Sequence, residues 1–364
     1  MLTGRYSFRT GVGAQVTGTQ PGIMLSEVTI PKMLKQANAP HRAANIGKWH
    51  LSDNDNGNED NPGLMGYDHF SGLLIGGVRD YSRWNKTVNG ETSLSENYVT
   101  TEFVDDAISW IQSSEEPWFL WLAFTAPHTP FHLPPVDLHS QTGLSGEQAD
   151  IDANPLPYFH ALIESMDSEL GRLLNSMSPE QLANTEIIYI GDNGTTTEVN
   201  QTSTQARRGK TTLYQGGVHV PLIIAGPSVV EGGRNVDALV NGVDIFKTIL
   251  DFAEVDHGAL LPRDRIIDSQ SLRPYLENPQ ATKQRDWIYS EIFGPPIRAN
   301  QVGHTIRNEK YKLIRFDQSG ERFYRIDTDP SEETNLLDAT LDAEAQKNYD
   351  SLAQTADTLR ISTP

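Results

Sequence analysis

The sequence predicts an α/β fold: a mixed, mostly parallel sheet covered by helices on both faces, plus a small C-terminal antiparallel sheet with a helix. Three observations carry this. Up to about residue 280, short apolar runs of strand length alternate with longer segments of helical spacing, the signature of strands linked by helices. Beyond that point short alternating segments are separated by turns, which suits an antiparallel sheet. At 364 residues the chain is long enough for one large core with a smaller companion. The expected division is 1–280 for the α/β domain and 281–364 for a small C-terminal α+β subdomain.

The elements follow in order. Residues 29–37 have helical spacing (Ile30, Met33, Leu34, Ala37), with Thr29 as the cap. Asn45-Ile46-Gly47 then leads into Lys48-Trp49-His50, and residues 51–64, rich in Asp, Asn and Gly, read as an exposed loop. Residues 98–113 form an amphipathic helix with Phe103, Ala107, Ile108 and Ile111 on one face. Residues 118–124 are nearly all apolar and predict a buried strand. Pro127 and Pro130 stop it. A helix over 158–177 turns Leu162, Met166, Leu170 and Leu173 inward, and 186–190 is a further buried strand ending at Gly191-Asp192-Asn193-Gly194. A strand at 220–225, a helix at 243–253, four strands between 287 and 326 and a helix near 341–359 complete the chain.

Charge excludes several partners. The chain has 29 Lys and Arg against 48 Asp and Glu, a net charge of −19 and a pI near 4.9. No basic field exists to neutralise nucleic-acid phosphates or to hold an anionic membrane surface. An anionic substrate needs a locally basic pocket in such a protein. There is no cysteine, so disulfides, thiolate metal sites and cysteine nucleophiles are excluded for this sequence. No apolar run reaches the length of a membrane span, and no signal peptide is seen. Composition leaves a homo-oligomer open. It does not fix the compartment, which is periplasmic or extracellular if the full-length gene carries a signal peptide.

Ligands of open α/β sheets bind beyond the carboxyl ends of strands. Four polar clusters fall after such strands or at similar turns: Lys48 with His50, His128, Asp192 with Asn193, and Lys210. Asp192 and Asn193 offer hard oxygen ligands suited to Ca2+ or Mg2+, although Gly-Asp-Asn-Gly also reads as an ordinary turn. Lys48 and His50 are two apart, so in an extended segment both point the same way and make an anion clamp. A surface lysine beside a satisfied histidine is the plainer reading. His128 sits between two prolines, a rigid setting that suits a general acid or a structural turn. Lys210 follows Arg207-Arg208-Gly209, the most basic stretch of the chain, which is an anion site or a solvated loop.

In this order the clusters resemble the type I sulfatases of the alkaline phosphatase superfamily, from Leu2 to about Leu337. Leu2-Thr3-Gly4-Arg5 resembles the tail of the family signature, whose first half, C/S-x-P-x-R, carries the nucleophile. Gly47-Lys48-Trp49-His50-Leu51 resembles the motif whose Lys and His contact sulfate. Ala126-Pro127-His128-Thr129-Pro130 is similar to the segment whose His faces the leaving-group oxygen. Asp192-Asn193 resembles a pair of calcium ligands. Gly209-Lys210 with Tyr214-Gln215-Gly216-Gly217 resembles a sulfate-binding loop, with Gln215 where Glu is usual and His219 where Arg is usual. Asp327, Asp329-Pro330, Glu332 and Asn335-Leu336 resemble the family's C-terminal motif.

The resemblance implies an alkaline phosphatase-like fold and a sulfuric ester hydrolase. It implies His50 and His128 as catalytic residues, Lys48 and Lys210 as substrate-binding residues, and Asp192 and Asn193 as metal ligands. The implied metal is Ca2+, with Mg2+ or another divalent ion as the alternative, and the implied substrate is a small-molecule or glycan sulfate ester. The family's first strand, its Asp-Asp metal ligands and its nucleophile are expected upstream of Met1. The α/β domain is therefore expected to be incomplete at its N-terminus and its metal site incomplete. Two other readings stand beside this: a hydrolase with altered chemistry on phosphate or carboxylic esters, and a non-catalytic binder of sulfated glycans.

Overall fold

Small and apolar residues in Arg42–Lys48 build β1, the strand next to which the rest of its sheet is laid. With β2 (His69–Leu73), β3 (Trp84–Val88), β4 (Glu91–Ser95) and β5 (Trp118–Ala123) it forms a five-stranded sheet in the order β4-β3-β2-β1-β5. β1 is parallel to both β2 and β5, while β3 and β4 run antiparallel at one edge. Asn89 and Gly90, at φ +47° and +93°, make the β3–β4 turn, because a tight hairpin needs left-handed residues at both positions. These coordinates are a computed structural model, which describes residues 1–16, 20–201 and 208–361.

Contacts divide the chain into two compact units. One comprises Gln15–Thr185 with Ala253–Asp256, and the other Met1–Ala14, Glu186–Phe252 and His257–Pro364. This division follows contacts, whereas the boundary near residue 280 follows the change of element type.

In the unit holding the five-stranded sheet, α2 (Ile30–Leu34) follows α1 (Ser7–Thr10) in the chain and starts at Thr29, whose hydroxyl accepts from Lys32 N–H. The helix α3 (Val99–Gln112) buries Phe103, Ala107 and Ile111 against β1, β2 and β5, and it packs on α4 (Pro155–Asn175). Thr101 Oγ1 donates to Glu169 at 2.6 Å and Arg172 pairs with Asp105 at 2.8 Å, tying the two helices.

Two expectations are corrected in this unit. Residues 51–64 are not simply an exposed loop: Ser52, Asn56 and Asn61 are buried, and short helical turns cover Asn58–Asp60 and Asn61–Leu64. Side-chain hydrogen bonds replace water there. Asn56 Nδ2 donates to Leu51 O at 2.9 Å and to Ile23 O at 3.1 Å, and Asn61 Nδ2 donates to Asn56 O at 2.7 Å. The second concerns β5, whose six residues are all half-buried rather than buried. An edge strand has a neighbour on one side only, and among the described residues β5 pairs with β1 alone.

The other unit holds β6 (Ile187–Ile190) and β7 (Leu222–Ala225), an antiparallel pair that is likewise half-covered. Ile188, Ile190, Leu222 and Ile224 pack against a core of Ile245, Leu272 and Tyr275, in which Ile245 opens α5 (Ile245–Phe252). The antiparallel sheet of β8 (Ile288–Ile292), β9 (Gly303–Arg307), β10 (Tyr311–Phe316) and β11 (Gly320–Arg325) has the order β11-β10-β9-β8. The helix α6 (Ala343–Ile361) lies on it through Ala345, Leu352 and Ala356, against Tyr311, Leu313 and Phe323.

His304 on β9 gives this sheet a pH dependence. The ring stacks on Tyr289 at 5.7 Å, and neither nitrogen has a hydrogen-bond partner among the described residues. Burial, with the Arg360 and Arg315 charges nearby, lowers its pKa to about 4. The unfolded chain thus takes up this proton near pH 6.5 and the folded chain only near 4, so stability present above 6.5 is lost as pH falls through that window. We expect His304→Phe to remove about 2–3 kcal/mol of that loss. Urea unfolding of both proteins at pH 7 and pH 4.5 measures it, and equal pH dependence would refute it.

Candidate active site

Lys48 is the last residue of β1, and the chain leaves the sheet there under tight constraint. Gly47 has φ +111° and lies opposite Gly72 on β2 and Ala123 on β5. A Cβ on Gly47 would fall 2.1 Å from Ala123 O, and one on Gly72 would fall 1.9 Å from Gly47 O. Only glycine permits this approach of three strand ends. Trp49 is buried and its Nε1 donates to Asn61 Oδ1 at 2.7 Å. The backbone N–H groups of Trp49 and His50 donate to Leu73 O and Leu74 O at 2.8 and 2.9 Å.

His50 then adopts φ +61°. The extended alternation that would point Lys48 and His50 the same way therefore ends at Lys48, and His50 is aimed by its left-handed backbone instead. Such a conformation costs a residue with a side chain about 1–3 kcal/mol and persists only where the surroundings impose it. The hydrogen bonds of Trp49 and His50 impose it here.

His128 follows β5, the neighbour of β1, so Lys48 lies at, and His50 and His128 beyond, the carboxyl ends of adjacent parallel strands. That is where ligands of such sheets bind. The His128 N–H donates to Thr125 O at 2.8 Å. Its Nδ1 lies 2.8 Å from Thr129 O; a carbonyl only accepts, so Nδ1 carries the proton of that bond. Tyr81 Oη donates to His128 O at 2.9 Å, Tyr81 stacks on His132 at 4.1 Å, and His132 Nε2 meets Tyr98 Oη at 3.2 Å. This aromatic support for His128 was not foreseen; Tyr81, Tyr98 and His132 follow no short-range pattern.

Asp192, Asn193 and Lys210 belong to the other unit, where two loops interlock. The Lys210 N–H donates to Thr195 O at 2.9 Å and the Gly194 N–H to Gly217 O at 3.0 Å. A Cβ on Gly194 would lie 1.7 Å from Gly216 O, and one on Gly209 2.2 Å from Thr195 O. The backbones thus touch where side chains would stand. Thr211 has φ +67°, an outlier for a β-branched residue, directly after Lys210. Burial lowers the Lys210 pKa, and the charges of Asp192 and Glu198 oppose the shift. Of the basic run, Arg208 is described and Arg207 lies outside the described residues.

The donor set limits what this loop pair holds. Ca2+ takes about six to eight oxygens. Asp192 and Asn193 bring one carboxylate and one amide, and among the described residues no three His, Asp or Glu side chains are grouped to hold a metal ion. Asp192 and Asn193 by themselves supply fewer oxygens than Ca2+ takes.

Residues 1–255 match the family model for sulfatases, and residues 208–358 match that for the C-terminal region of N-sulphoglucosamine sulphohydrolase. The chain belongs to the sulfatase family, whose members are sulfuric ester hydrolases. The uncharacterized sulfatase YdeN of Escherichia coli K12 is 26% identical over 395 residues, which cover 93% of this chain and 68% of that protein. The arylsulfatase of Hemicentrotus pulcherrimus is 28% identical over 318 residues, with 79% of this chain and only 54% of the relative covered. Two solved structures share the fold. Ps i-CgsB in complex with k-i-k-neocarrahexaose has a TM-score of 0.78 at 21% identity, over 98% of this chain and 80% of that one. BT4656 in complex with its substrate D-glucosamine-2-N,6-O-disulfate has 0.75 at 22%, over 100% and 87%.

Proposed function

We propose that this protein acts on sulfate esters of sugars, with Lys48, His50 and Lys210 holding the sulfate and His128 protonating the departing sugar oxygen. The observation that carries this is Lys210. It is a half-buried ammonium beside a strained backbone, in a chain of net charge −19, and a local cation in an acidic protein selects an anionic ligand. The hexaose bound by Ps i-CgsB and the disulfated glucosamine bound by BT4656 support a glycan as the ester's alcohol.

Each group has a definite task. The lysines balance the sulfate oxygens in a setting of reduced solvation, where charge interactions are stronger than in water. His128, held through its Nδ1–H by Thr129 O, acts as the acid in its imidazolium form, giving the Nε2 proton to the leaving oxygen and becoming neutral. These residues account for binding and protonation; the group that attacks sulfur is not among them. The non-catalytic binder of sulfated glycans stands as the second reading.

The deciding experiment incubates the protein with sulfated carrageenan oligosaccharides and with glucosamine 6-sulfate. Free sulfate is read by ion chromatography and binding by calorimetry. Sulfate release supports the hydrolase, binding without release leaves the binder, and neither overturns both.

Asp192 and Asn193 are read as two oxygen donors of a divalent-ion site, with Ca2+ the preferred ion and Mg2+ the alternative. Affinity for Ca2+ follows ligand number and charge. The isolated chain is therefore expected to bind Ca2+ with a Kd of about 10⁻³ M or weaker, and Asp192→Asn to abolish the signal in calorimetry. Binding in the nanomolar range would show that further ligands converge on this pair.

A further inference from the structure

Behind the Lys210 loop lies a buried charge pair that the proposed chemistry does not use. Lys312 on β10 and Glu332 are both almost fully buried, with Nζ 2.8 Å from Oε1. The other carboxylate oxygen accepts from Gln215 N–H at 2.7 Å, a contact between residues 117 apart in sequence. Lys312 Nζ also donates to Gln215 Oε1 at 3.2 Å. On the same side Arg208 Nη1 donates to Ser331 O at 3.1 Å and to Glu332 O, and its guanidinium lies over the Tyr214 ring at 4.6 Å. Both ends of the segment from Arg208 to Gln215 are thereby fastened to one spot, residues 331–332, and Lys210 is within it. Glu332 itself has φ +59°, which fixes where its carboxylate and carbonyl are presented.

Such an arrangement is a poor way to gain stability. Buried ion pairs of this kind are often matched by apolar replacements of similar size. It is a good way to fix a loop, because a carboxylate that accepts from one backbone N–H and one ammonium allows a single placement of both. The short chain of contacts runs from Lys312 through Glu332 to the Gln215 N–H, and from the Glu332 carbonyl through Arg208 to the start of the same loop.

We propose that Glu332, charged against Lys312, is a positioning residue that holds the 208–215 loop so that Lys210 is presented in one orientation. That Lys210 grips sulfate rests on the function proposed above; that the loop is held does not. The test uses the full chain with Glu332→Gln, Glu332→Asp, and Glu332→Gln combined with Lys312→Met. Hydrogen exchange of peptides spanning 208–218 is measured beside the melting temperature and calorimetric binding of inorganic sulfate. Glu332→Gln leaves the ammonium of Lys312 buried without its counter-charge, so its melting temperature falls. The double variant removes both charges and regains most of it.

If the pair positions the loop, amides of 208–218 exchange about tenfold faster in the double variant while those of β10 and β11 keep their protection. Sulfate affinity then falls about tenfold or more. Glu332→Asp, which keeps the charge and shortens the reach, loosens the same peptides in a folded background. Wild-type exchange rates in the double and Asp variants overturn the proposal. Failure of the wild-type protein to bind sulfate instead overturns the sulfatase reading of Lys210, and the exchange data still decide the positioning role.

Discussion

His128→Ala is expected to slow sulfate release from a sugar sulfate by about 10²- to 10⁴-fold, the usual share of a general acid. Release from nitrophenyl sulfate should fall far less. An alkoxide is a poor leaving group and needs its proton in the transition state, whereas nitrophenolate departs without one. The assignment takes Nδ1 as held by Thr129 O at 2.8 Å and Nε2 of the imidazolium as the acid. Steady-state rates for the two substrate types check it. Equal losses on both would mean that His128 holds the sulfate or the loop and does not protonate the leaving group.

Gly47→Ala is expected to cost about 3–5 kcal/mol, combining backbone strain at positive φ with overpacking. The new Cβ would lie 2.1 Å from Ala123 O, on a backbone at φ +111°. Neither neighbour is a flexible side-chain end, so relief requires β1 and β5 to part. Against a typical total of about 5–15 kcal/mol, that is a large fraction of the stability of the folded chain. Urea denaturation measures it as a shift of midpoint at unchanged slope. A loss below about 1 kcal/mol would show that the strand ends yield easily. Because Lys48 is the next residue, anion binding is expected to weaken even in molecules that remain folded.

The long helices were legible because their packing follows a simple period. Phe103, Ala107 and Ile111 in α3, and Leu162, Met166 and Leu173 in α4, are buried as the spacing implies, while Ile108 and Leu170, expected on the same faces, are half-buried. β1 was not read as a strand, since Arg42-Ala43-Ala44-Asn45 lacks the branched and aromatic residues that mark one. The β3–β4 hairpin was missed although Asn89-Gly90 signals its turn. Residues 51–64 misled because polar side chains that bond to backbone carbonyls are buried without any hydrophobic signature.

The candidate site was legible only as motifs. Lys48, His50, His128, Asp192, Asn193 and Lys210 could be named from their neighbours in sequence. What holds them could not. The left-handed backbones of His50 and Thr211 depend on packing, and the Lys312–Glu332–Gln215 contacts join segments far apart in the chain. Such long-range pairings leave no period and no local composition to read.

The interlocked loops have a consequence for change over generations and for redesign. With Gly194 pressed on Gly216 and Gly209 on Thr195, neither loop can lengthen or gain a side chain unless the other makes room. Asp192–Asn193 and Lys210 are therefore bound to be inherited and transplanted as one cassette.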